Sequence, residues 1–184
     1  MHRQDVSKPT LKRPNNAMFR AVILVLGGAV VLAIASYIAI PMVPVPITLQ
    51  TLAVTTIGAL YGPRLGAFTV IVWLAMGMLG LPVFAGGGGG ISHFLGPTAG
   101  YLLAFPVAAA VTGGLVARGW TGQKPAFAFA AMLIGNLVCL SLGAAWLATQ
   151  IGLQAAINAG FAPFLPGAAI KSAMGMALLW LAGK

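Results

Sequence analysis

Phe164-Leu-Pro-Gly-Ala-Ala-Ile-Lys-Ser-Ala-Met-Gly-Met-Ala-Leu-Leu-Trp-Leu181 is an apolar run with a single charge in it, Lys171. Its length suits a helix crossing a bilayer, which takes about 20 residues. An ammonium inside hydrocarbon is costly and marks a functional position by default. The rest of the chain has the same character. Hydrophobic residues make up 60% of the 184 residues and charged ones 6%, with a mean hydropathy of +1.00, whereas soluble domains carry roughly 25% charged residues. The fold class this predicts is an all-α membrane protein with six transmembrane helices.

Five more spans precede the last. Phe19–Ile40 stops at Pro41, and Pro41, Pro44 and Pro46 predict an extended connection after it. Thr48–Leu60 and Leu65–Leu79 are short for full crossings, so they tilt, extend into their flanks or are shielded by neighbouring helices. Thr98–Val116 and Phe127–Thr149 complete the set, with a Gly/Asn/Pro-marked connection from Gly152 to Pro163 before the last span. Residues 1–18 read as a cytoplasmic tail and 19–184 as one membrane domain. The tail resembles the n-region of a signal peptide, but Ala21–Ile40 ends without an Ala-x-Ala cleavage site in a polar context, so a retained first helix is expected.

Charge tests this division. Arg3, Lys8, Lys12, Arg13 and Arg20 precede or open the first span, Arg64 lies in the second connection, Arg118 and Lys124 in the fourth, and Lys184 at the end. The first, third and fifth connections carry neither Lys nor Arg. Such alternation predicts a multi-pass membrane protein with an even number of spans and both termini cytoplasmic. The net charge of +9 is therefore assigned to topology and the lipid bilayer, not to nucleic acid.

Several function classes are excluded. Six spans use up nearly the whole length, leaving no room for a soluble catalytic or nucleotide-binding domain. One acid, Asp5, two histidines and one cysteine supply neither an acid/base pair nor a metal cluster, so no enzyme activity, metal or cofactor is expected. Cys139 reads as a small buried hydrophobe, with no second thiol to pair with. The run Gly86–Gly90 lacks the Gly-Lys-Ser/Thr continuation and preceding strand of a phosphate loop. Glycine is costly in helices, so this segment predicts a loop or re-entrant cover, with Gly87 and Gly88 approaching a ligand or forming a lid.

Candidate ligand contacts follow. Lys171 either snorkels to the outer interface or faces the bundle interior to meet an anionic ligand or a carbonyl. No acid lies in any span to neutralise it, which favours an exogenous anion. Gln50, Tyr101 and Asn136 offer amide and hydroxyl groups that serve a ligand or bond helix to helix. His93 is a loop residue within reach of a ligand. Phe94, Phe84, Trp146 and Phe164 are candidate apolar walls, while Trp73 and Trp180 are assigned to packing against protein or lipid. Alanines recur at four-residue spacing in and near the first span, at Ala17/Ala21, Ala29/Ala33 and Ala35/Ala39, and would let a partner helix approach closely. Ala29 and Ala33 are the docking candidates.

Five segments in order carry a family resemblance: Pro44-Val-Pro-Ile-Thr-Leu-Gln-Thr51, Gly62-Pro-Arg-Leu-Gly66, Gly80-Leu-Pro-Val-Phe-Ala-Gly86, Gly96-Pro-Thr-Ala-Gly-Tyr101, and Pro163-Phe-Leu-Pro-Gly167 with Lys171. From Phe19 onward the chain resembles the biotin-specific substrate-binding subunits of energy-coupling factor transporters. The resemblance implies a six-helix subunit that captures biotin from outside in a loop-covered pocket. It further implies work with a transmembrane coupling subunit and two cytoplasmic ATPases, the partners that would carry any ATP-driven step. A solitary biotin facilitator or ion-coupled transporter is the alternative. One position departs from the family pattern, which has Pro-Gly-Asp followed three residues later by Lys, where this chain has Ala168. The carboxylate expected to meet the ureido N–H groups is missing, and Asn136, Gln50 or a backbone carbonyl is left to replace it. Lys171 suits either the valerate carboxylate of biotin or its ureido oxygen.

Overall fold

A computed structural model describes residues 16–184; the expectations for residues 1–15 of the tail, including His2 and four of its basic residues, lie outside the described residues, while Asn16–Met18, expected in the tail, already belong to the first helix. Long apolar runs become long helices: α1 (Asn16–Tyr37), α4 (Ala99–Ala117) and α5 (Pro125–Ile151). With the helical stretch Leu153–Leu181, these make four elements long and apolar enough to cross a membrane. The two short spans are α2 (Gln50–Tyr61) and α3 (Pro63–Met78). They are joined by Gly62 alone, which at φ 84° adopts a conformation that other residues rarely hold and lets Pro63 start the next helix at once.

The short pair is shielded by packing. α4 packs on α2, α3 and α5, while α7 (Leu165–Leu181) packs on α5 and α2. A side chain at Gly58 of α2 would run into the Ala109 backbone of α4, so the two helices meet backbone to backbone. Trp73, Leu32, Val54, Val70 and Leu147 are sealed inside the resulting core, whereas α1 presents Leu26, Val30 and Ile34 outward. In a bilayer such an outer surface faces acyl chains, and close packing of small residues replaces hydrophobic exclusion as the force between helices.

The connections differ from plain loops. After α1 the prolines give an extended hairpin, with β1 (Ala39–Ile40) antiparallel to β2 (Ile47–Thr48) and a cis peptide at Val43–Pro44. Helix α1 ends at Tyr37, three residues before the expected Ile40, because the hairpin takes those residues. The glycine-rich connection forms two 3-10 turns, Ala85–Gly87 and Ile91–Phe94. Between α5 and α7 the chain stays helical: a single turn α6 (Leu153–Ala156), a wide π turn (Ile157–Phe161) and a 3-10 turn (Ala162–Phe164). Pro163 and Pro166 each sit near a helix start, where the missing N–H costs nothing.

Candidate functional site

All three long connections gather at one end of the bundle and enclose a cavity. Its wall takes Thr48 from β2, Gln50 and Thr51 from α2, Tyr101, Leu102 and Phe105 from α4, Asn136, Cys139 and Leu140 from α5, and Ala168 and Lys171 from α7. Phe84 and His93 from the glycine-rich connection and Phe164 before α7 close it over. The space between these walls is about 660 Å³ with its open mouth counted.

Lys171 faces inward. Only 9% exposed, it donates from Nζ to the Thr48 carbonyl at 3.0 Å. A single neutral acceptor leaves ammonium protons for a further partner, and no acid occurs among the described residues. On its other side Lys171 borders an apolar cleft between the hairpin and α7, lined by Ile38, Ile40, Ile170 and Met174. The lysine and Thr48 thus form the partition between cavity and cleft.

Gln50 and Asn136 both line the cavity but differ in what remains free. The Gln50 side chain is used by the protein: Oε1 accepts from Thr48 Oγ1 at 2.9 Å and Nε2 donates to Ser36 Oγ at 2.8 Å. Asn136, 1% exposed, donates from Nδ2 to the Met132 carbonyl at 3.0 Å and to Ser172 Oγ at 3.2 Å. Its Oδ1 is left as an open acceptor. Two further polar atoms in the wall, Thr51 Oγ1 and His93 Nδ1, are buried without a protein partner. Buried polar groups in native proteins are nearly always hydrogen-bonded, so unpartnered ones around one cavity point to a ligand.

Tyr101 contributes its ring, while its hydroxyl donates to the Gly160 carbonyl at 2.7 Å and so pins the helical connection before α7. Close approach is required here: a side chain at Gly143 would enter the Tyr101 ring, and one at Gly160 its hydroxyl. Phe164 stacks on Tyr101 at 6.5 Å between ring centroids.

Gly87, Gly88 and Phe94 stand behind the wall, not in it. Gly86, Gly87 and Gly90 take positive φ, the backbone that folds this connection back on itself. Gly88 makes room for the His93 ring and accepts from the Phe84 amide at 2.9 Å, while Phe94 packs edge-on against Phe84. Phe84 is the side chain they present to the cavity. It is backed by Trp73 in a T-shaped contact at 5.1 Å, and Trp73 Nε1 donates to the Val83 carbonyl at 3.2 Å. Trp146 lies outside the wall and ties α5 to the Gly96 carbonyl at 3.1 Å.

The docking alanines are also placed. Ala29 is 1% exposed and belongs to the core, with Ala33 packed against the same core. The surface α1 offers to a neighbour is instead its bulky aliphatic side. Thr48 and Thr51 are polar residues of the cavity wall that the sequence reading missed. Thr48 acts through its carbonyl, which no side-chain pattern reports, although it sits inside the Pro44–Thr51 segment.

Comparison with known proteins places this geometry. The BioY family model matches residues 7–183. The chain belongs to the BioY family. It is 37% identical to a biotin transporter of Lactococcus lactis subsp. cremoris, over 90% of this chain and 92% of that one. It is 39% identical to a biotin transporter of Rhizobium etli, over 85% and 84%. Among solved structures, the S-component for biotin from an ECF-type ABC transporter superposes with a TM-score of 0.83 at 28% identity, covering 94% of this chain and 95% of that one. The six-helix membrane fold is thereby established, and with it the multi-pass character of this BioY-family chain.

Proposed function

We propose that this chain captures biotin as the substrate-specific membrane subunit of an energy-coupling factor transporter. The observation that carries the reading is the cavity in a BioY-family fold, headed by a buried lysine with no acidic side chain among the described residues to pair with it. Biotin has an anionic carboxylate, a ureido group with two N–H donors and one oxygen, and an apolar ring and chain. Lys171 supplies a cation for one of the oxygen-bearing ends. Asn136 Oδ1 is the acceptor for a ureido N–H, because it has no protein donor, whereas Gln50 Oε1 already accepts from Thr48 Oγ1 and Ala168 has no carboxylate. Thr51 and His93 supply the remaining polar contacts, and Phe84, Tyr101, Phe105, Leu140 and Phe164 the apolar walls.

The wider assignments follow the same reading. The host membrane is the bacterial inner membrane. Arg20, Arg64, Arg118, Lys124 and Lys184 all lie toward the end opposite the cavity, which supports cytoplasmic termini and a cavity opening outward. A transmembrane coupling subunit and two cytoplasmic ATPases supply the energy.

Calorimetric titration of biotin into the detergent-purified chain tests the assignment. Saturable binding is expected, weakened by Lys171→Ala on the order of 10- to 100-fold, the worth of a charge-assisted hydrogen bond. Absence of binding to the folded parent chain would defeat the reading.

A further inference from the structure

Lys171 is held in place by a carbonyl, and that carbonyl belongs to a two-residue strand. So short a pairing is not stable by itself in water or lipid. What fixes Thr48 is a run of buried hydrogen bonds leading away from the cavity. Thr48 Oγ1 donates to Gln50 Oε1 at 2.9 Å and accepts from the Gln50 amide at 3.2 Å. Gln50 Nε2 donates to Ser36 Oγ at 2.8 Å, and Ser36 Oγ donates to the Leu32 carbonyl at 2.8 Å, inside α1. Ser36 is fully buried and Gln50 is 5% exposed, so water does not substitute for either partner.

We infer that Ser36 and Gln50 are positioning residues for the ligand-binding lysine: together they fix the Thr48 carbonyl that aims the Lys171 ammonium into the cavity. The Lys171 ammonium hydrogen-bonds to the Thr48 carbonyl and to neither of these side chains, and Ser36 does not line the cavity. The network runs from α1 through α2 and β2 to α7, so a substitution in the first helix is read out at the last. Networks of this kind act as units, and a cycle of double substitutions separates their effect from general loosening.

The inference rests on the biotin reading, and its test has a second readout that does not. Biotin is titrated into the full chain and into the Ser36→Ala, Lys171→Met and doubly substituted forms. Ser36→Ala is expected to weaken binding about tenfold, the effect of stranding one buried amide donor, but by less than about twofold once Lys171 is Met, where additivity fails for coupled residues. In parallel, Lys171 is acetylated with an N-hydroxysuccinimide ester and its rate followed by mass spectrometry. Ser36→Ala is expected to raise that rate several-fold while the exposed Lys124 and Lys184 are unchanged. Gln50→Met serves in the same cycle if Ser36→Ala does not fold. An unchanged acetylation rate, or a loss of affinity that persists in full in the Lys171→Met background, overturns the positioning role. Failure of the parent chain to bind biotin defeats the biotin reading alone, and the acetylation rates still decide the inference.

Discussion

At one end of the bundle α2 and α3 are joined by Gly62 alone and α4 and α5 by the seven residues Arg118–Lys124. At the other end the connections run through a hairpin, two 3-10 turns and a helical detour before α7. The first end carries the exposed cations and meets backbone to backbone. The second carries no exposed cation and leaves buried polar atoms unpartnered. Tight turns leave the chain no slack with which to surround a ligand, so rigidity and recognition are divided between the two ends. The scaffold end is expected to respond to substitution in stability, the cavity end in affinity.

The largest effect is expected at the scaffold end. In Gly58→Leu the new side chain would have to displace the Ala109 backbone, and overpacking of this sort costs about 3 kcal/mol or more where backbone must move. Thermal unfolding in detergent should show a marked loss of stability, while whatever fraction remains folded binds biotin with parental affinity. If the folded fraction instead lost affinity, the two ends would not be separable.

Next in size is Ala168→Asp at the cavity end. Ala168 lies on the cavity wall, 2% exposed and one helical turn before Lys171. A carboxylate there adds a charged acceptor for a ureido N–H, a contact of about 1.5 to 3 kcal/mol. Calorimetry should register biotin binding tighter by about tenfold or more. Unchanged affinity would mean that the ureido group points elsewhere and that Asn136 is not standing in for a missing acid.

A smaller effect belongs to Tyr101→Phe, which keeps the ring on the cavity and removes only the bond to the Gly160 carbonyl. An ordinary hydrogen bond is worth about 1 kcal/mol net, so biotin affinity should fall by about fivefold as the connection before α7 loosens. Parental affinity in this variant would show that stacking on Phe164 alone holds that connection.

Legibility in the sequence follows the same division. The six spans, the two short ones included, could be read because hydropathy and the prolines and glycines at their ends are local signals. The alternation of cations located the scaffold end. Lys171, Gln50, Tyr101, Asn136 and His93 were legible as polar or charged groups in or near apolar runs, and the fold brings all five to one cavity. What each atom does was not legible. Gln50 and Tyr101 were chosen for free polar groups that the structure spends on Ser36, Thr48 and Gly160. Thr48 was overlooked because its contribution is a main-chain carbonyl. Ala29 was offered to a partner because a small-residue spacing does not reveal which face is outward, and the outward face of α1 carries larger side chains.

The smallest effect is the sharpest test of the division. Arg118 caps α4 at the scaffold end and is exposed, and among the described residues no carboxylate side chain exists to pair with it. Removing its charge in Arg118→Gln breaks no contact of the core, and exposed substitutions of this kind stay within about 0.5 kcal/mol. Biotin affinity should therefore remain within about twofold of the parent. The cation contributes instead to which side of the membrane this end occupies, and one charge among several does not reverse orientation. A clear loss of affinity in Arg118→Gln would show that α4 transmits a change from its scaffold end to Tyr101 at the other, and the cavity would then be under the control of whatever binds the scaffold end.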